Sequence, residues 1–158
     1  MEKILKSFRK IRFQDCDPFN HLNNSKYIDY FINAREDQIL ENYRLDIFSI
    51  AEKQGLSWVV ASHQINYLKP AFLMETVLIE SLLLKYSSKS LLVEMSMWDE
   101  NHQVLKSVLW TYFIHFNLRS QKPEHHSKEL TGLFETVVQP GVYTSLTERI
   151  TFLSGHKS

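Results

Sequence analysis

The chain has 158 residues, 44% hydrophobic, 13% aromatic and 23% charged, enough to bury one core without disulfides or metal and too apolar for a disordered segment. Eighteen Lys+Arg balance eighteen Asp+Glu, so broad nucleic-acid binding through phosphate contacts is not expected. Only four glycines are present and no apolar run nears the roughly 20 residues of a membrane helix, which excludes collagen and a helical membrane span.

The neutral total hides a local pattern. Residues 1–14 carry five Lys/Arg and one Glu, whereas residues 15–54 carry four Lys/Arg and eight Asp/Glu. The basic start reads as an edge strand kept apart from other edges by its charges, or as a patch for a nucleotide-bearing ligand. It has no continuous apolar stretch of the kind a signal peptide needs. The single cysteine, Cys16, has no partner for an intramolecular disulfide. A reducing, cytoplasmic setting is therefore expected.

Along the chain, residues 8–14 alternate imperfectly, with Arg9, Ile11 and Phe13 on one face, and predict a first strand. Asp, Pro, His and Asn then fill residues 15–23, the composition of a loop. From about Ser25 to Tyr43 the period turns helical, with Tyr27, Tyr30, Phe31 and Ala34 as the main stripe. The first half of this helix should be buried nearly all round. Its second half, with Arg35, Glu36, Asp37, Glu41 and Arg44, should reach solvent. Asn24 or Ser25 is the expected N-cap.

After Gly55 the pattern becomes that of strands. Trp58 to Tyr67 alternates, Lys69-Pro70-Ala71 turns the chain, and Thr76 to Lys85 is a second apolar run. Residues 86–89 form a hairpin, residues 91–98 a third strand, residues 99–101 another hairpin, and residues 104–116 a long fourth strand. Short turns between strands require an antiparallel meander, because parallel pairs need long crossovers. A short amphipathic helix is expected near Ser127, about residues 127–136. Residues 139–158 form a tail in which Val142 to Phe152 reads as strand or helix. The order predicts one α+β domain over residues 1–158, with a sheet curled around one long central helix.

The densest polar cluster, Asp15-Cys16-Asp17-Pro18-Phe19-Asn20-His21-Leu22-Asn23-Asn24, lies between a strand end and a helix N-terminus. Unpaired N–H groups and the helix dipole there favour a developing negative charge. A carboxylate before such a helix can attack a carbonyl or deprotonate a water while an N–H holds the oxyanion. Asp and Asn at such a place are also ordinary caps and turn formers. Metal binding by Asp15, Asp17 and His21 fits poorly. Phe19 stands where a calcium loop needs an oxygen and Lys26 where it needs the bidentate Glu, and no zinc spacing occurs. Cys16 as a nucleophile has only His21 nearby as a base. His63 and His115 read as satisfied, semi-buried strand histidines, and His125-His126 as an exposed loop. Met95 and Met97 read as core, and Trp58, Trp98 and Trp110 as packing or interface residues.

Residues Arg12 to Asn24, followed by Tyr27, resemble the hotdog-fold acyl-CoA thioesterases of the 4-hydroxybenzoyl-CoA thioesterase class, whose pattern reads R-x-x-D-x-D-x-x-G-H-x-N-N-x-x-Y. Tyr67-Leu68-Lys69-Pro70-Ala71 is similar to that family's Y-x-x-P-A, and Lys89-Ser90 to a K-S pair at the start of a later strand. The resemblance covers about residues 8–118.

It implies a hotdog fold and hydrolysis of an acyl-CoA to a free acid and coenzyme A, without cofactor or metal. Asp17 matches the catalytic carboxylate, as nucleophile or general base, and the oxyanion N–H falls near Asn24. His21 and Asn23 match positions that shape the loop, with His21 within reach of the site, and Asp15 matches a bracing position. Lys89 and Ser90 match positions that in some members approach the pantetheine-phosphate of coenzyme A. A homodimer or homotetramer is implied, with no nucleic-acid or membrane partner. Two departures stand out. The motif's Gly is Asn20, the residue that best replaces Gly at positive φ. The Gly-Asp that follows Y-x-x-P-A is Met74-Glu75. An acyl-carrier-protein thioesterase and a non-catalytic acyl-CoA or acyl-carrier binding module on the same fold are the other readings.

Overall fold

The structure is a computed structural model that describes residues 1–141 and 144–155. Six strands form one antiparallel sheet: β1 (Leu5–Lys10), β2 (Leu56–Tyr67), β3 (Thr76–Tyr86), β4 (Ser90–Asp99), β5 (Leu105–Asn117) and the short β6 (Lys122–Pro123). Their order is β1-β3-β4-β5-β2, with β6 added on β5. The helices are α1 (Tyr27–Tyr43), α2 (Ile47–Gln54), α3 (Lys128–Val137) and α4 (Leu146–Gly155). None is long and apolar enough to cross a membrane.

The meander forms as its alternation and turns dictate. β3 reads Val77-Leu78-Ile79 and Leu82-Leu83-Leu84 because both of its faces are buried, the case in which alternation gives way to a continuous apolar run. On the inner face, Phe31 and Ala34 of α1 pack against Ile79, Val93, Met95, Met97 and Leu109 of the sheet, joined by Phe134 and Val137 of α3. On the outer face, Leu78, Trp98, Leu105 and Val108 are covered by Leu146, Ile150 and Leu153 of α4. Met95 and Met97 are core residues, as expected.

The first strand lies earlier than its alternation suggested. β1 ends at Lys10, and Phe13–Asp15 is a 3-10 turn in which the Asp15 and Cys16 N–H groups donate to the Arg12 and Phe13 carbonyls. Ile11 is buried as expected, but Phe13 is turned out and 76% exposed.

The cap of the central helix also shifts. Asn23, not Asn24 or Ser25, caps: its Oδ1 accepts from the Ser25 N–H at 3.0 Å and opens a 3-10 turn, Asn24–Lys26, that leads into α1. The solvent half of α1 is only partly right. Asp37, Glu41 and Arg44 are exposed, but Gln38 is buried and Arg35 half-buried. Polar groups of the sheet explain it. Arg35 donates to Ser81 Oγ at 2.9 Å, Ser81 donates to Gln38, and Gln38 Nε2 donates to Ser7 Oγ at 2.8 Å and the Ile79 carbonyl at 3.1 Å.

Helix α2 was not expected. Asp46 caps it by accepting from the Ser49 N–H at 3.0 Å, and Gly55 ends it at φ 67°, a conformation glycine adopts freely. Of the expectation for Val142 to Phe152, positions 142 and 143 lie outside the described residues, and the remainder falls largely in α4.

Three histidine expectations are corrected. His126 is not in an exposed loop but buried, with Trp58 Nε1 donating to its Nε2 at 3.0 Å and its Nδ1 at 3.0 Å from the Ser87 carbonyl. His115 is fully buried rather than semi-buried. Its Nδ1 meets the Glu124 carbonyl at 2.9 Å, and its Nε2 has no partner among the described residues. His63 is exposed rather than semi-buried, because β2 is the edge strand of the sheet, and its ring still meets Thr111 Oγ1 at 2.9 Å.

Candidate active site

The loop from Cys16 to Leu22 closes on itself. Cys16 bridges Leu22, the Asp17 N–H donates to the His21 carbonyl at 2.8 Å, and the Asn20 N–H returns to the Asp17 carbonyl at 3.0 Å. Asn20 makes the turn at φ 61°, the left-handed backbone expected of the position where the motif has Gly.

This loop fixes one half of a carboxylate. Asp17 Oδ1 accepts from the Phe19 N–H at 2.9 Å and the His21 N–H at 3.1 Å. Its Oδ2 has no hydrogen-bond partner among the described residues. Asp17, His21, Asn24, Tyr27, Tyr67, Lys69 and Pro70 line one surface pocket. The structure thus brings together Asp17, His21 and Asn24.

The far wall of the pocket is held by α1 and the segment after β2. Tyr67 Oη donates to the Asn24 carbonyl at 3.0 Å. The Asn24 N–H, first in its 3-10 turn, has no partner among the described residues, as expected of a donor at the start of a helical segment. Tyr27 Oη accepts from the Ala71 N–H at 3.2 Å, and the Tyr27 and Tyr67 rings meet edge to face at 5.1 Å. His21 contributes a ring packed edge-on against Phe72, with centroids 5.2 Å apart.

Asp15 plays a different part. Tyr30 Oη donates to Asp15 Oδ2 at 2.6 Å and accepts from the Arg12 N–H at 3.1 Å, tying the loop to the first turn of α1. Burial and the Asp15 carboxylate push the Tyr30 hydroxyl up to about 12, so it stays a neutral donor across the working pH range. Burial and the carboxylates of Asp17 and Asp15 likewise raise the Cys16 thiol above its ordinary value. Cys16 Sγ lies 3.4 Å from the Arg12 carbonyl. A raised thiol without a base is the opposite of an activated nucleophile.

Met74-Glu75 closes the turn after Ala71, with the Glu75 N–H donating to the Phe72 carbonyl at 2.9 Å. Met74 adopts φ 66°. Glu75 Oε1 accepts from the Phe72 N–H at 2.9 Å, and its Oε2 pairs with Lys106 at 3.0 Å. Lys106 Nζ also donates to the Pro70 carbonyl at 2.9 Å. This clamp fixes Pro70 beside the pocket and was not foreseen. Its signal was a lone lysine inside the apolar strand run of residues 104–116. Tyr67 and Lys69 were noted in a motif, but their place in the pocket wall was not.

Lys89 and Ser90 lie elsewhere, in the β3–β4 hairpin and outside this pocket. The Ser90 hydroxyl is paired with that of Ser87, and the Lys89 carbonyl accepts from the His115 N–H at 2.7 Å. Within one chain they do not join Asp17. No group of three or more His, Cys, Asp or Glu side chains that could hold a metal ion occurs among the described residues.

Comparison with known proteins gives the family and the fold. The model of the thioesterase-like superfamily matches residues 11–133. The long-chain acyl-CoA thioesterase FadM of Escherichia coli (strain K12) is 31% identical over 131 residues, covering 82% of this chain and 96% of that protein. The crystal structure of YbaW, a probable thioesterase from Escherichia coli, superposes with a TM-score of 0.72 at 27% identity, covering 85% of this chain and 99% of that one. Slr0204, a 1,4-dihydroxy-2-naphthoyl-CoA thioesterase from Synechocystis, shares the fold with a TM-score of 0.76 at 13% identity, covering 87% of this chain and 99% of that one. With its curled antiparallel sheet, its central helix and a family match across most of its length, the chain belongs to the thioesterase-like superfamily and is a thioester hydrolase of the hotdog fold.

Proposed function

We propose that this chain hydrolyses acyl-CoA thioesters to a free carboxylic acid and coenzyme A, with Asp17 as the catalytic carboxylate and the Asn24 N–H as the oxyanion donor. One observation carries the reading. Asp17 Oδ1 is pinned by two backbone N–H groups, while its unpaired Oδ2 and the start of α1 share one pocket.

As general base, Asp17 Oδ2 takes a proton from water, whose oxygen attacks the thioester carbon. The carbonyl oxygen becomes an oxyanion held by the Asn24 N–H and the positive end of α1. Collapse breaks the C–S bond, and the proton on Asp17 goes to the leaving thiolate. As nucleophile, Oδ2 itself attacks the thioester carbon; the C–S bond breaks, coenzyme A leaves as a thiolate that takes a proton from solvent, and water opens the resulting acyl-enzyme anhydride to the free acid and the Asp17 carboxylate. The same geometry serves both routes. His21 shapes the loop through its N–H, and its ring lines the pocket.

The site is completed, in this reading, by a second copy of the chain. β2 is a 12-residue edge strand with Val59 37% and Val60 47% exposed. A long unpaired apolar edge favours pairing with a second strand. Lys89 and Ser90 of one copy would then be available to the coenzyme A bound at another. We place the reaction in the cytoplasm, where a lone thiol such as Cys16 stays reduced.

Thiol release measured across short, long, branched and aromatic acyl-CoAs tests the reading, with the same acyl groups on acyl carrier protein alongside. Turnover of at least one acyl-CoA well above the carrier-protein form is expected. Preference for the carrier-protein form would instead support an acyl-carrier-protein thioesterase. Tight binding without turnover would support a binding module.

A further inference from the structure

Strand β5 is irregular beside the site. Met97 pairs with Ser107 but Trp98 pairs with Leu105, so Lys106 is an extra residue opposite β4. Leu105 and Val108 both pack in the outer-face cluster although they stand three positions apart, which the two-residue period of a regular strand would not allow. A β-bulge of this kind re-aims a side chain and is common next to active sites. The extra residue here is a lysine whose side chain is only 5% exposed.

The Lys106 ammonium ends on the turn between β2 and β3. It pairs with Glu75 Oε2 at 3.0 Å, donates to the Pro70 carbonyl at 2.9 Å and lies 5.2 Å from the centre of the Phe72 ring. Glu75 holds the same turn by accepting from the Phe72 N–H. That turn carries the catalytic loop. The Leu22 N–H donates to the Ala71 carbonyl at 2.8 Å, and the Leu73 N–H to the Asn20 carbonyl at 2.8 Å. His21 stands between these two bonds, and its N–H is one of the pair that pins Asp17 Oδ1. The far wall hangs on the same residue. The Lys106 carbonyl accepts from the Leu68 and Lys69 N–H groups at 2.8 and 3.1 Å, next to Tyr67, whose hydroxyl holds the Asn24 carbonyl.

A buried ion pair adds little stability over apolar side chains of similar volume, because both charges must leave water. What a lysine supplies here, and a methionine cannot, is a pair of directed bonds to Glu75 and Pro70. We propose that Lys106 is a positioning residue for the thioester hydrolysis, setting the place of Asp17 through the 70–75 turn and the His21 N–H. Its kinetic consequence rests on the proposed function, whereas the link from Lys106 to the loop does not.

The test measures Lys106→Met in the wild-type chain and in the Asp17→Asn chain, on the best acyl-CoA found for the wild type and well below each Tm. Misplacing a reacting group by about 1 Å can lower a rate by about 100-fold. Lys106→Met should therefore lower kcat by about 10-fold or more and leave KM within about 3-fold. In the Asp17→Asn chain the same change should alter the residual rate by less than about 2-fold, because the group it positions has already lost its function. Glu75→Gln breaks the same ion pair with a smaller change; it should also lower kcat, and it serves if Lys106→Met does not fold. Wild-type kcat in both variants, a loss confined to KM, or an equal fold loss with and without the Asp17 carboxylate would each overturn the proposal.

Amide hydrogen exchange gives a readout that needs no turnover. The His21 and Leu22 N–H groups should exchange about 10-fold or more faster in Lys106→Met, or in Glu75→Gln, while amides in the middle of β4 stay within about 2-fold. Unchanged protection at His21 and Leu22 would overturn the inference whatever the chain hydrolyses. A wild type that releases no thiol, with variants that show this exchange pattern, refutes the proposed function and leaves the link from Lys106 to the Asp17 loop standing.

Discussion

Tyr30→Phe isolates the brace beneath the catalytic loop. The hydroxyl donates to Asp15 at 2.6 Å and accepts from the Arg12 N–H at 3.1 Å, so its removal strands one carboxylate oxygen and one backbone donor. A hydrogen bond to a charged group contributes about 1.5–3 kcal/mol. The lower part of that range applies, because Asp15 is only partly buried and water can reach it. A loss of about 2 kcal/mol corresponds to a fall in Tm of roughly 4–8 °C for a chain of this size. The ring remains, so the packing of α1 should hold. Thermal melts give the stability change, and thiol-release kinetics at saturating and limiting substrate give kcat and KM. We expect the Tm to fall by that amount and kcat/KM to fall by several-fold, with the pH profile unshifted because Tyr30 is neutral throughout the range. An unchanged Tm with wild-type kinetics would refute the claim that the Asp15–Tyr30–Arg12 link holds the loop in place.

Three further outcomes are expected. Met74→Gly relieves a left-handed backbone that costs roughly 1–2 kcal/mol for an L-residue, against roughly 0.4–1 kcal/mol of added chain entropy when unfolded; a net gain of up to about 1 kcal/mol should appear in urea melts, and a loss would show that the Met74 side chain matters more than its backbone. Arg149 donates to both oxygens of Glu94, at 2.8–3.1 Å, and Trp110 to one of them. Arg149→Met should therefore cost about 3–5 kcal/mol by leaving a buried carboxylate without its cation, while the Glu94→Gln, Arg149→Met pair should recover much of that; equal costs for the single and double variants would contradict this. Burial lowers His126 below the ordinary value of 6.5, so the unfolded chain binds protons that the folded chain does not, and stability should fall as pH drops below about 6.5. Tm measured at pH 7.5 and 5.5 should drop less in His126→Gln than in wild type, and an equal drop would assign the acid sensitivity to other groups.

How much of this was legible in the sequence follows from where each signal resides. The meander was readable because β2 to β5 are long, rich in β-branched and aliphatic residues, and separated by short polar turns. The left-handed turn at Asn20 was read from the resemblance, whose motif has Gly at that position, and from the tolerance of Asn for positive φ. Helix α2 was missed even though Asp46 and Gly55 flank it, since eight residues carry too little periodicity to stand out. Arg35 was placed in solvent and the burial of Gln38 was not foreseen, because nothing on α1 reveals that Ser7 and Ser81 wait opposite them. His126 sits in a polar stretch, and its burial comes from Trp58 on β2, the Ser87 carbonyl in the β3–β4 hairpin and the rings of His115 and Phe134. The candidate site divides in the same way. The loop with Asp17, His21 and Asn24 is contiguous and was read whole, whereas its far wall at Tyr67, Lys69 and Pro70 and the Glu75–Lys106 clamp depend on the tertiary fold.

The central claim is that Asp17 performs the chemistry. Thiol release by Asp17→Asn, folded as judged by its melt and assayed on the best acyl-CoA found for the wild type, tests it most directly. The variant keeps an Oδ1 that can accept from the Phe19 and His21 N–H groups but loses the charge, and its rate should be lower by about 100-fold or more, the scale of losing a positioned acid–base group. Wild-type turnover in that variant would contradict the account.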